Sequence, residues 1–244
     1  MAVGKGWEGV VLKLMRGKDF TFTVTGAEDL TDDYRRVSFT DGGLLAAAGG
    51  SLHPTMWVRV WFQGAGKPHQ RAYTLVDPDP QAGTFSFEFA LHDGVASAWA
   101  RGAKPGDTVE ATVQGTGFTA PEPAPERLLV IGDPASLPAI NSLLDAHRRT
   151  PATIWFETQH DSDERLPMRV EQGRHDIRRV RRDGTALADR VRAELPALAA
   201  DPESAYVWLA CDTVTTRALT AYLRKEVGLP KHRVNALGYW RPEA

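Results

Sequence analysis

A small antiparallel β-barrel followed by a doubly wound parallel α/β domain is the architecture this sequence predicts. Three observations predict it. Apolar and polar residues alternate with period two in successive runs between residues 20 and 113. A proline-rich stretch then breaks the pattern. From residue 127 onward, short apolar runs alternate with helix-period segments. Period two belongs to half-buried strands, and strands alternating with helices belong to a parallel sheet.

The barrel strands are expected at Phe20–Thr25, Tyr34–Phe39, Trp57–Phe62, Arg71–Val76, Thr84–Phe89 and Asp107–Val113, which makes a six-stranded antiparallel set. Gly, Pro and Asp turns separate them. A short helical patch from Gly94 to Arg101 precedes the turn Lys104-Pro105-Gly106-Asp107. Residues Thr119–Glu126 carry prolines at alternate positions, which favours an extended connector. The predicted division is therefore a barrel domain over 1–118, a linker over 119–126 and an α/β domain over 127–244. In that last part the strands are Arg127–Ile131, Ala152–Phe156, Asp176–Val180, Ala205–Ala210 and a final one over Arg233–Tyr239. One helix carries Leu137, Ile140 and Leu144. A second spans Ala186–Leu198. The third has Val214, Ala218, Tyr222 and Leu223 on one side.

The chain has 244 residues, 42% hydrophobic and 25% charged, enough for a buried core. A net charge of −2 gives no global attraction to nucleic acid, so any basic site is local. One cysteine, Cys211, excludes a disulfide framework and points to a reducing compartment. Met1 to Val11 shows no cleavage signature, and no apolar run approaches the roughly 20 residues of a membrane span. The seven histidines have no zinc-type spacing, so no metal site is expected.

Arg71-Ala72-Tyr73-Thr74 alternates a cation, a ring and a hydroxyl. On a strand, Arg71 and Tyr73 share one face and Thr74 points to the other. A flavin dinucleotide needs such a set: a guanidinium for pyrophosphate, a ring against the π-system, a hydroxyl at the flavin edge. An exposed arginine and an ordinary barrel tyrosine are the plainer account. About twenty residues on, His92-Asp93-Gly94-Val95-Ala96-Ser97 joins a strand to a helix. Its free N–H groups suit a pyrophosphate, with Gly94 allowing close approach and Ala96 and Ser97 opening the helix. A simple helix start is again the alternative. Gly132-Asp133-Pro134-Ala135-Ser136 ends the first α/β strand, where a parallel sheet places its ligand. It is not the G-x-G-x-x-G fingerprint, and a capped turn and a nucleotide contact both remain open. Cys211 and Asp212 end another strand at the same edge, as a filler and a cap or as part of a nucleotide site. Arg174 to Arg182 holds five arginines. They form a solvated strand edge, or they grip the extra phosphate of NADPH, an anionic substrate or a lipid headgroup.

These residues together resemble the siderophore-interacting protein family, flavin-dependent ferric-siderophore reductases with a ferredoxin-reductase-like fold. Arg71-Ala72-Tyr73-Thr74, Leu91-His92 with Gly94 to Trp99, Gly132-Asp133 with Leu137-Pro138, Trp155-Phe156-Glu157 and Gly238-Tyr239-Trp240-Arg241 carry the likeness. Gln159-His160-Asp161 and Gly228-Leu229-Pro230-Lys231 resemble the branch fused to mycobacterial siderophore-import ABC transporters. The resemblance implies FAD on the barrel. Arg71, Ala72, Tyr73 and Thr74 would hold it, with His92, Gly94, Ala96 and Ser97. Trp240, from its position near the chain end, is expected to close over the ring. It implies NADPH or NADH as electron donor, with Gly132, Asp133, Ser136, Cys211 and Asp212 at the nucleotide. It also implies a ferric siderophore beside a basic pocket. Val76 and Asp77 stand where many relatives carry arginine, which weakens that pocket or moves it to Arg59, Lys67 or Lys104. Pro134-Ala135 and Cys211-Asp212 likewise replace residues common in relatives. The implied activity is reduction of Fe(III) to Fe(II) in a cytoplasmic protein at the inner face of the plasma membrane, fused to or associated with an importer. A general NAD(P)H-dependent flavin reductase and a non-catalytic flavin-binding module are the alternatives.

Overall fold

The computed structural model describes residues 18–49, 51–64, 66–113 and 117–242. Met1 to Val11, read above for a leader, lies outside them. The chain divides into two compact units, Met1–Phe118 and Thr119–Ala244.

The first unit is one antiparallel sheet. Its strands are β1 (Lys18–Thr31), β2 (Tyr34–Thr40), β3 (Trp57–Gly64), β4 (Lys67–Thr74), β5 (Val76–Asp79), β6 (Thr84–Ala90) and β7 (Thr108–Val113). Their spatial order is β4-β3-β7-β1-β2-β6-β5. Two short helices, α1 (Leu44–Ala48) and α2 (Val95–Gly102), interrupt them. The sheet has seven strands where alternation predicts six. The run Arg71–Val76 is two strands, not one: β4 ends at Thr74, and Val76 already pairs with Ser86 of β6. Alternation cannot show this break, because Leu75 and Val76 are both buried. The backbone shows it. Asp77, held before a proline, adopts a left-handed φ of 47°, which shifts the register before Asp79.

β1 is long because it serves two partners. Its first half pairs with β7 and its second with β2, with a register shift between Val24 and Gly26. Inward residues of β1, β2, β3, β4, β6 and β7 meet in an aromatic core. Phe22 sits edge-on to Phe85 at 4.8 Å and near Phe39 and Phe87, and Trp99 of α2 stacks parallel to Phe39 at 6.2 Å.

In the second unit β8 (Arg127–Gly132), β9 (Ala152–Thr158), β10 (His175–Arg181), β11 (Ala205–Ala210) and β12 (Val234–Ala236) form a parallel sheet of order β10-β9-β8-β11-β12. Helices α3 (Leu137–Ala146), α4 (Ala186–Leu198) and α5 (Thr213–Lys225) pack on it. The chain proceeds from β8 outward to β10, then returns to β11 on the other side of β8. The switch point therefore lies between the C-terminal ends of β8 and β11. Residues 119–126 fall within this unit: Glu126 N–H donates to Ser204 O, and buried Arg233 donates to Pro123 O at 2.8 Å.

Two details differ from the periodicity. The last strand is shorter than Arg233–Tyr239, yet its continuation still tracks β11, with Leu237 N–H on Leu209 O and Tyr239 N–H on Cys211 O. In α5 the buried face is Thr216, Leu219 and Leu223, while Val214 is 65% exposed. Asp212 caps the helix and fixes its start, which turns Val214 away from the sheet.

Because Phe22 touches three other rings and is fully buried, Phe22→Ala should cost about 3–5 kcal/mol of stability. Urea unfolding checks this, and a loss under about 1 kcal/mol would show that the barrel core is not packed around it.

Candidate functional site

β4 is an edge strand whose inner face carries His69, Arg71 and Tyr73, opposite Phe62, Val60 and Val58 of β3. The Tyr73 ring lies 4.5 Å from Phe89, 5.6 Å from Phe87 and 5.9 Å from Phe62. Burial raises its phenol well above the usual value and Arg71 opposes that shift, so Tyr73 stays neutral. Arg71 is exposed, and its Nη1 donates only to its neighbour Gln70 O at 2.8 Å. Ala72 points outward, and Thr74 is buried at the strand's end. The face therefore ends in a ring anchored by other rings and a guanidinium open to an anion.

The β3–β4 hairpin meets the start of α2: a Cβ on Gly64 would lie 2.5 Å from Val95 Cγ2. No side chain caps α2, so its first N–H groups are left for an acceptor. His92 braces this entry, its N–H donating to Ser97 Oγ at 3.2 Å and its carbonyl accepting from Arg101. The His92 ring crowds Gly94, where a Cβ would approach it to 2.8 Å. Ala96 and Ser97 are buried, so they offer backbone rather than side chain. The structure thus brings Arg71, Tyr73 and Thr74 onto one strand and sets His92 to Ser97 at the helix beside its hairpin. An open cation, an anchored ring and uncapped N–H groups fit a flavin dinucleotide.

The proposed substrate cations occupy three separate elements. Arg59 projects from the outer face of β3, since Val58 and Val60 point inward. Its guanidinium lies 5.0 Å over the Trp57 ring and donates to Gln70 Oε1 at 3.3 Å. Lys67 is exposed at the β3–β4 hairpin and Lys104 at the α2–β7 turn.

At the switch point of the second unit, Gly132, Asp133, Ser136, Cys211 and Asp212 do come together. Gly132 has no room for a side chain: a Cβ would meet Ser136 Oγ at 2.3 Å and Ile140 Cδ1 at 2.8 Å. Asp133 and Ser136 form a reciprocal cap, at 3.2 Å from Ser136 N to Asp133 Oδ1 and 2.9 Å from Asp133 N to Ser136 Oγ. The other Asp133 oxygen accepts the Trp240 indole N–H at 2.7 Å. Arg182 covers the Trp240 ring at 4.7 Å while donating to Glu157 at 2.6 Å and Gln159 at 2.8 Å. Trp240 also bridges to Asp212 through its backbone, its carbonyl accepting Thr213 N–H. Cys211 is buried, which pushes its thiol up. The bond to Thr216 opposes that shift, and nearby Asp133, Asp212 and Glu157 add to it, so the sulfur stays protonated.

Sequence reasoning gives no individual site role to Glu157, to Arg182 within its arginine run, or to His69. A signal existed for Glu157, a charged residue ending an apolar strand, and for His69, two residues before Arg71 on the same face. Arg182 was hidden in a run of arginines. The structure gives that run a plain role. Arg174 pairs with Glu171, Arg178 with Asp176 and Glu194, Arg179 with Glu164, Arg181 with Asp161, and Arg182 with Glu157.

Burial lifts Asp133 from its ordinary 3.8 to about 6, against the pull of the Trp240 bond and Arg182. A folded-state value above the unfolded one contributes stability that is complete at low pH and is lost as pH rises through it. Wild-type stability should therefore fall relative to Asp133→Asn between pH 3.8 and about 6. Urea unfolding across that window tests it, and a constant difference between the two proteins would contradict the shift.

The geometry agrees with comparison to known proteins. A family model for siderophore-interacting proteins matches residues 125–243, and one for the siderophore-interacting FAD-binding domain matches residues 23–115. The mycobactin import ATP-binding/permease protein IrtA of Mycolicibacterium smegmatis is 33% identical over 246 residues, covering 98% of this chain and 28% of that protein. IrtA of Mycobacterium tuberculosis is 32% identical over 247 residues, with the same coverage. The chain thus spans little more than a quarter of these relatives. In fold it is similar to the siderophore-interacting protein of Acinetobacter baumannii, with a TM-score of 0.78, 19% identity and 92% and 91% of the two chains covered. It is equally similar to a siderophore utilization protein of T. fusca, with a TM-score of 0.78, 20% identity and 93% and 94% covered. The two family models, matched over residues 23–115 and 125–243, together with relatives about one-third identical along 98% of the chain, make this chain a member of the siderophore-interacting protein family.

Proposed function

We propose that the chain is an FAD-dependent ferric-siderophore reductase, serving siderophore utilisation. The observation that carries this is the inner face of β4, where exposed Arg71 and ring-anchored Tyr73 lead toward the uncapped start of α2. Arg71 neutralises phosphate through a charge-assisted bond. The N–H groups of Ala96 and Ser97 receive the pyrophosphate, with His92 and Gly94 shaping the approach. Tyr73 offers its ring to the isoalloxazine, and Thr74 its hydroxyl or N–H to the ring edge. FAD, when bound, supplies the single electrons that take Fe(III) to Fe(II). The substrate's own chemistry completes release, because Fe(II) binds hard oxygen ligands less tightly than Fe(III) does. Lys67 and Lys104, exposed on the barrel unit, meet the ferric complex, whereas Arg59 lies on the opposite face of the sheet from Arg71 and Tyr73. No protein acid or base is required, since an electron rather than a proton is transferred.

The relatives named as importers favour a place beside a transporter, fused or associated, at the inner face of the plasma membrane. Among the described residues no helix is long and apolar enough to cross a membrane.

Two measurements test the reading. Arg71→Ala should lower FAD affinity by about 1.5–3 kcal/mol, the worth of one hydrogen bond to a charged group. Titration of the apoprotein with FAD reads this, and unchanged affinity removes Arg71 from the site. Separately, the flavin of the loaded protein is photoreduced without oxygen and mixed with ferric siderophores. Faster reoxidation than a blank, with Fe(II) trapped, supports the activity. Reoxidation at the blank rate would leave only a flavin-binding module.

A further inference from the structure

We infer that the α/β unit holds nicotinamide dinucleotides weakly and does not distinguish NADPH from NADH, because carboxylates occupy the places where their phosphates would lie. The inference rests on the reductase reading above and deepens it, by saying how the nucleotide that reloads the flavin is treated.

In an open parallel sheet, a dinucleotide lays its pyrophosphate against a helix N-terminus at the switch point. Here two helices begin there, after β8 and after β11, and at both an aspartate already engages N–H groups. After β8, Pro134 and Pro138 carry no N–H. Ser136 N–H goes to Asp133, and Leu137 N–H goes to Pro134 O. After β11, Val214 and Thr215 N–H go to Asp212 Oδ1 at 2.8 and 2.9 Å, Thr216 N–H to Asp212 O, and Thr213 N–H to Trp240 O. A phosphate arriving at either start would have to displace a carboxylate from its hydrogen bonds while repelled by it.

Among the described residues, the neighbouring strand end offers no free cation. Glu157 is buried, and Arg182 is spent on it and on the Trp240 ring. The five arginines from Arg174 to Arg182 are the obvious cations for a 2′-phosphate, and each already faces a carboxylate. Arg241, exposed beside Trp240, is a cation an anion can reach. One exposed guanidinium gives little selectivity against the two helix-start carboxylates.

The full chain is titrated calorimetrically with NADPH and, separately, with NADH. Neither should saturate below about 1 mM, the upper end of ordinary Michaelis constants, and their heats should be alike. Saturation by either below about 1 mM, or a preference for NADPH of about tenfold or more, would overturn the inference. A second arm uses Asp133→Ser and Asp212→Asn, each a sound helix cap without the charge. Either should bind both nucleotides about tenfold more tightly than wild type, and no gain in both would refute the carboxylate explanation. The photoreduction assay contains no nucleotide. Weak nucleotide binding with no ferric reduction would therefore defeat the reductase reading alone. Tight NADPH binding with competent ferric reduction would defeat this inference alone.

Discussion

One residue, Leu75, joins the two opposite edges of the first unit's sheet. β4 and β5 stand at the ends of a seven-stranded order, yet β4 stops at Thr74 and β5 starts at Val76. Laid flat, seven strands would separate those edges by about 29 Å. The Cα atoms flanking one residue can be only about 7 Å apart. The sheet must therefore curl until its edges nearly meet. That curl carries β4 over to β6, so that Tyr73 reaches Phe87 and Phe89. Tyr73 is fixed by this closure rather than by its own strand pairing. Arg71, one step back along the same face, runs out of core to cover it and remains open.

The second unit depends on a different constraint, a buried negative charge. Serine at position 133 would cap the turn without a charge, and aspartate brings a desolvation cost. Asp133 offsets that cost with an indole N–H, the backbone N–H of Ser136 and the nearby Arg182. Those partners come from distant stretches of chain. Holding one carboxylate thereby fixes the segment after β12, since Trp240 must stay where its N–H reaches Asp133 and its carbonyl reaches Thr213.

Much of this was legible in the sequence, and what was hidden was hidden for physical reasons. Period two and the strand–helix alternation identify both halves because burial sets those periods directly. The motif Arg71 to Thr74 is readable because alternation puts its residues on defined faces. The break at Leu75 is not, since two buried apolar residues in sequence look like one strand continuing. The arginine run misleads in the opposite way. Composition displays five cations, but Glu157, Asp161, Glu164 and Glu194, partners of four of them, lie 15 to 25 residues away along the chain, and only folding brings these within reach. Val214 shows a third limit. Helical spacing gives a face but not its phase, and here the cap at Asp212 sets the phase.

The two units illustrate how a fold can persist while the chemistry it hosts is redistributed. The second unit keeps the parallel sheet, the switch point and the tight glycine at the end of its first strand, where a Cβ would strike Ser136 and Ile140. Those features are demanded by packing and survive whatever the crevice binds. Helix-start N–H groups are different, because they must be satisfied by something: a ligand when one is bound, or the protein itself. At the barrel's α2 no side chain takes that role, whereas Asp212 does at α5 and Asp133 does at the single turn that precedes α3. A helix start left uncapped costs stability when empty, and a self-capped one costs affinity for anions.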